Sequence, residues 1–220
     1  MAAPQSELDP ESIYCEILIQ TQRAFQFAQF AAGSLANDLA ISATASRTVE
    51  NAGEQFAELD TVIGPSITPA IPKVTPAQRR ESLACTKFLI DLARIGDLLA
   101  SASRCAHGLG DRLGVEDLND LFQMASLLEN MLVHAHHAYW VRDFESALLV
   151  LRADSEVDRL RNLVLIRHLE QGRSTISQDT IQILFIAQVL ERAGDHAKNV
   201  AKEICHLLQP AQLPSSCALA

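Results

Sequence analysis

The sequence predicts an all-α protein built as two tandem three-helix bundles, six long helices in all, and three observations lead there. Aromatic residues make up only 5% of the 220 positions, while alanine, leucine, glutamine and glutamate are plentiful; strands draw on the aromatic and β-branched side chains that are scarce here. Apolar residues recur every three or four positions over long windows, the period of a helix with one buried face. The pattern Leu-x-Arg-x-Gly-Asp occurs twice, at Leu92–Asp97 and Leu190–Asp195, which marks an internal duplication.

Asp9-Pro10-Glu11 supplies an N-cap, a proline at the first helical position and an acid in the first turn, and apolar residues from Ile13 through Phe30 carry that helix to about Gly33. An alanine-rich helix from about Ser34 to Val62 follows, with Glu50, Glu54 and Glu58 at i+4 spacing. The prolines of Gly64–Pro72 forbid helix there, because each lacks a donor and restricts its predecessor. Thr75-Pro76 repeats the cap-and-proline start, for a third helix to about His107. Gly108, Gly110 and Gly114 then break the chain, dividing it into residues 1–110 and 111–220. The second half repeats the plan with helices from about Glu116 to Tyr139, Arg142 to Glu170 and Ser177 to Leu208. Ser174 or Ser177 caps the last, and residues 209–220 form a frayed tail.

A formal net charge of −9, from 27 acids against 18 bases, argues against a broad nucleic-acid footprint and suits an attraction for cations or basic partners. No apolar run approaches the roughly 18 residues of a membrane span, and the N-terminus lacks the basic and apolar segments of a secretory signal. Cys15, Cys85, Cys105, Cys205 and Cys217 are odd in number and widely spaced, the usage of a reduced cytoplasmic protein. No phosphate-cradling glycine loop, nucleophile elbow or catalytic triad can be placed on one site, so the chain is not expected to be an enzyme.

The last helix carries the chemistry. Its stripe of Ile186, Leu190, Ala193, Ala197, Val200 and Ile204 leaves Glu191, Asp195, Asn199 and Glu203 on one ridge at i+4 spacing. A ridge of acids is ordinarily a solvated face, and Arg192, Lys198 and Lys202 could neutralise it; adjacent like charges cost roughly 0.2–0.5 kcal/mol per pair unless a cation lies between them. Asp154 and Asp158 form a second i,i+4 pair on the preceding helix. If the two helices are antiparallel neighbours, four carboxylates meet at one seam, a hard-oxygen site. Gly194 is expected to admit a close approach by another backbone.

Leu190-Glu-Arg-Ala-Gly-Asp-His-Ala-Lys-Asn-Val-Ala-Lys-Glu203 resembles the signature of the PhoU family, Glu-Arg-x-Gly-Asp followed by Asn-x-Ala. Asp143–Ala147 and Asp154–Asp158 resemble the pattern of its preceding helix. The resemblance covers residues 10–208 and is strong in the second half. It implies tandem three-helix bundles and a metal on the acidic surface, held by Asp154, Asp158, Glu191 and Asp195 with Asn199 next along the ridge. Iron is the favoured ion, with manganese, magnesium, calcium or zinc as alternatives. It also implies a homodimeric cytoplasmic regulator that restrains phosphate uptake and the phosphate-starvation response, through the ATPase subunit of the phosphate ABC transporter and a sensor histidine kinase. The alternative from another class is a carboxylate-bridged metal enzyme, a hydrolase or oxidase. In the first half Ala93 replaces Glu191 and Ser101 replaces Asn199, so weak metal binding or none is expected there. Arg94 and Arg192 are expected to pair with acids across helix seams. Glu203-x-x-His206 lacks the second copy that a di-iron bundle uses, and His134, His136 and His137 read as packing or surface residues.

Overall fold

A computed structural model describes residues 10–37, 74–170 and 177–208, and these form five α-helices with no strand among the described residues. They are α1 (Pro10–Asn37), α2 (Pro76–Leu109), α3 (Val115–Val141), α4 (Phe144–Glu170) and α5 (Gln178–Leu208). The six-helix count is not reached within these segments: most of the expected Ser34–Val62 helix, with Glu50, Glu54 and Glu58, the proline-rich loop and the tail lie outside the described residues.

The helix starts follow the expected chemistry. Thr75 caps α2 through a reciprocal capping box with Gln78, and Pro76 occupies the first turn, satisfying amide donors that the helix leaves unpaired. Ser177 Oγ accepts from the Thr180 amide at 3.1 Å and so begins α5. Two boundaries differ from expectation. The first helix runs through Gly33 to Asn37, and Gly33 marks a crossing: a Cβ there would lie 2.6 Å from Glu129 Oε1 on α3. Arg142 does not open α4. It ends α3 in the left-handed conformation with φ 61°, and Asp143 is the residue that caps α4, accepting from the Glu145 amide at 3.0 Å and from Ser146 Oγ at 2.6 Å.

In the second half, α3, α4 and α5 each pack against the other two, which makes that half a three-helix bundle. In the first half α1 packs beside α2, and the halves join through α1 on α3 and through the most extensive seam of all, α2 on α5. One continuous core results. The repeat is visible in burial: Leu92, Ile95 and Gly96 are buried while Arg94 and Asp97 are exposed, and Leu190, Ala193 and Gly194 against Arg192 and Asp195 match them place for place.

One end of α1, α2 and α3 meets at Glu81. Its carboxylate accepts from Tyr14 at 2.8 Å and Tyr139 at 3.1 Å, and pairs with Arg142. Burial alone would raise the Glu81 carboxyl, but the hydrogen bonds of Tyr14, Arg142 and Tyr139 and the Arg142 charge hold it below the usual range. Desolvation pushes both tyrosines well above the ordinary phenol value, helped at Tyr14 by this carboxylate and at Tyr139 by Cys85 and then the carboxylate. A carboxyl whose folded pKa is depressed stabilises the fold above its ordinary value of 4.5, and that contribution is lost as pH falls through the folded value. Glu81→Gln is therefore expected to lower stability by on the order of 1.5 kcal/mol at pH 7. The difference from the parent should shrink below pH 4.5; urea titrations of both proteins across that range check it.

Candidate metal centre

The last two helices run antiparallel, with Asp154 of α4 opposite Lys198 of α5 and Arg161 opposite Glu191. They meet at Gly194, where a Cβ would lie 3.6 Å from Val157 Cγ1. The expected backbone contact is thus a side-chain contact at ordinary van der Waals distance. Alanine fits it, so Gly194→Ala is expected to be neutral or to stabilise the protein by up to about 1 kcal/mol through helix propensity, as a thermal melt would show.

Around that point the acids assemble. Asp154 is 5% exposed and receives the Lys198 ammonium at 2.5 Å. Glu191 accepts from Arg161 at 3.3 Å and from Gln188 Nε2 at 2.6 Å. Its carboxyl is raised above the usual range, by burial first and then by the Asp195 charge, with Asp158 adding to the effect and Arg161 opposing it. The Lys198 ammonium is raised by its bond to Asp154 and by the charges of Asp154, Asp195 and Asp158, against the opposing effect of burial. Asp154, Asp158, Glu191 and Asp195 therefore share one electrostatic neighbourhood. Asp158 is half-buried and Asp195 exposed, and neither makes a hydrogen bond or ion pair among the described residues.

Asn199 is elsewhere. It lines a groove of about 320 Å³ between α2 and α5 with Lys87, Ile90, Asp91, Lys202 and Glu203. Each i+4 step on a helix of 3.6 residues per turn advances about 40°, so two steps from Glu191 turn Asn199 roughly 80° away from the α4 seam. Seven residues return to within about 20° of the start, and the residue seven beyond Glu191 is Lys198. The i+7 rule was the signal for the bases: acid, acid, base stand at Asp154, Asp158, Arg161 and again at Glu191, Asp195, Lys198.

The donors suit a hard cation, and four carboxylates against two bases leave two formal negative charges in the seam. Among the described residues, however, no three His, Cys, Asp or Glu side chains stand grouped as a ligand shell requires. Lys198 is bonded to Asp154 and Arg161 to Glu191, so the seam is charge-paired at both ends rather than shaped around an ion.

The remaining candidates resolve into structure. Glu203 binds Lys87 at 2.8 Å, and His196 pairs with Asp91 of α2 at 2.7 Å. His136 contacts Gln22 at 2.9 Å and is held below the usual imidazole range by burial and then by His137; His137 itself contacts Ser146 at 3.2 Å. Arg94 reaches Asp97 on its own helix at 3.5 Å, and Arg192 is exposed. Arginines that do cross seams include Arg142, to Glu81, Arg161, to Glu191, and Arg167, whose nearest partners are Asp117 at 2.7 Å and Asp120. Cys15, Cys85 and Cys105 are free thiols. No described helix is long and apolar enough to cross a membrane.

Comparison with known proteins places these features. Residues 121–204, which hold most of α3, all of α4 and most of α5, match the model of the PhoU domain. The chain is 26% identical over 137 residues to a phosphate-specific transport system accessory protein PhoU homolog of Clostridium acetobutylicum, covering 61% of this chain and 62% of that one. It is 26% identical over 170 residues to PhoU homolog 1 of Thermotoga maritima, 74% of this chain and 73% of that one. The matched stretch thus spans less than two thirds of the Clostridium protein. The crystal structure of PhoU from Pseudomonas aeruginosa superposes with a TM-score of 0.74 at 22% identity, covering 91% of this chain and 97% of that one, and so shares the fold. The domain match, the curated relatives and the common helical architecture agree in making this chain similar to PhoU proteins.

Proposed function

We propose that this protein is a cytoplasmic accessory regulator of phosphate transport, formed from two copies of one unit (1–110 and 111–220). In this reading it restrains phosphate uptake and the phosphate-starvation response by binding the ATPase subunit of the phosphate ABC transporter and a sensor histidine kinase, and it acts as a homodimer. The observation that carries the reading is the PhoU domain match over residues 121–204, which contains every acid of the α4–α5 seam. The relatives are accessory proteins of a phosphate-specific transport system. Asp154, Asp158, Glu191 and Asp195 would hold a divalent or trivalent cation, iron first, and the ion would neutralise the seam and cross-link α4 to α5. Asn199 would contribute only by reaching back from the α2 groove.

A pull-down from phosphate-replete cells with the full chain tests the partners. Recovery of the transporter ATPase or the kinase is expected, with a weaker yield after phosphate starvation. Recovery of neither would remove this reading.

A further inference from the structure

We propose that the outer side of the α1–α3 seam is the surface through which two copies of this chain associate, with Trp140 as its anchor; this rests on the homodimer put forward above. The contacts of α1 with α2, α2 with α5, α5 with α3 and α3 with α1 close a ring of four helices, so the α1–α3 and α2–α5 seams are opposite sides of it. The two sides differ in chemistry. The α2–α5 side exposes Lys87, Arg94, Asp97, Arg104, Arg192 and Asp195. On the α1–α3 side, residues 17–37 and 121–141 contain two charged side chains, Arg23 and Glu129, in a chain that is 20% charged. Depletion of charge together with exposed aromatic rings marks the centre of a protein interface, not a solvated face.

Four large apolar side chains stand out from that side: Phe30 is 63% exposed, Trp140 51%, Ile19 48% and Val133 46%. Ile19 and Phe30 are eleven residues apart, and Val133 and Trp140 seven; both separations return to within about 20° on a helix, so each pair forms one stripe. The two helices run antiparallel, with Gly33 at Glu129, Gln29 donating to the Leu132 carbonyl and Gln22 on His136. Phe30 is therefore about level with Val133, and Ile19 with Trp140. A half turn about the line of the seam lays α1 of one copy on α3 of the other. It brings Phe30 onto the partner's Val133 and Trp140 onto the partner's Ile19, the self-matching pattern of a two-fold dimer. Trp140 is held in advance, its ring 6.1 Å from His136 and edge-on to Tyr139 at 5.7 Å, and an anchor already ordered loses little freedom on binding. The area is sufficient as well. Each stretch is about 30 Å long at 1.5 Å per residue and each helix about 10 Å across, which gives about 600 Å² in plan. Side-chain relief brings the accessible area near the roughly 800 Å² per partner of a standard interface.

Sedimentation equilibrium of the full-length protein tests this on the parent and on Phe30→Glu, Trp140→Glu and Ile90→Glu, the last an exposed apolar residue of the α2–α5 side. The parent should dimerise, and Phe30→Glu and Trp140→Glu should each weaken dimerisation about tenfold or more, as loss of a central aromatic does. Ile90→Glu should change it less than about twofold. Trp140 is the single tryptophan of the chain and reports directly: dilution of the parent dimer to monomer should move its emission to longer wavelength and increase its quenching by acrylamide. Should a variant fail to fold, that parent fluorescence decides alone. A dimer that survives both variants, or Trp140 emission unchanged as the dimer dissociates, overturns this surface while leaving the homodimer in place, as does an equal loss in Ile90→Glu. A parent that is monomeric at every concentration removes the homodimer itself and leaves this face to a different protein, which overturns the inference too.

Discussion

Truncating Phe88 to alanine is expected to destabilise the protein by about 3–5 kcal/mol, the cost of emptying a large aromatic site in a core that cannot fully collapse. Phe88 on α2 is fully buried. Its ring lies 6.2 Å from Phe25 of α1 and edge-on to Tyr139 of α3 at 5.3 Å, so it binds three helices from both halves of the chain. Tyr139 also meets Cys85 at 3.1 Å and Glu81, and a cavity beside it would loosen that polar network too. For a chain of this length 1 kcal/mol is roughly 2–4 °C, so a fall in melting temperature of about 10 °C is the measurement to make. A drop of only a degree or two would mean that the halves are not joined through this cluster.

The second large effect concerns the metal. Asp158→Ala combined with Glu191→Ala removes both excess negative charges and leaves Asp154 and Asp195 against Lys198 and Arg161. If the seam holds a metal as proposed, the metal content of protein purified without chelator should then fall at least tenfold by elemental analysis. A cooperative melt in both proteins would show that the loss is not unfolding. Equal metal content in parent and variant would eliminate the seam as a site.

How much of this was legible in the residues depends on which interactions are local. Helix starts at Thr75 and Ser177 were readable because capping is decided within four residues. The repeat at Leu92–Asp97 and Leu190–Asp195 was readable because burial follows a helical period in both copies. The end of the first helix was misjudged because Gly33 is a punctuation mark in sequence, whereas in the fold it is the point where α3 crosses α1. Arg142 was misassigned for a related reason: a non-glycine residue closing a helix in the left-handed conformation has no strong local signature.

The sequence by itself determined the helical class, the repeated Leu-x-Arg-x-Gly-Asp pattern and the presence of two acidic pairs, since these follow from periodicity and from the order of residues along the chain. Only the tertiary structure decided what faces those acids. Antiparallel packing of α4 on α5 sets Lys198 on Asp154 and Arg161 on Glu191, and the 40° drift of each i+4 step carries Asn199 to α2 instead. A charge ridge read along one helix omits the charges that the neighbouring helix delivers, and it is their balance across the seam that sets whether a cation is drawn in.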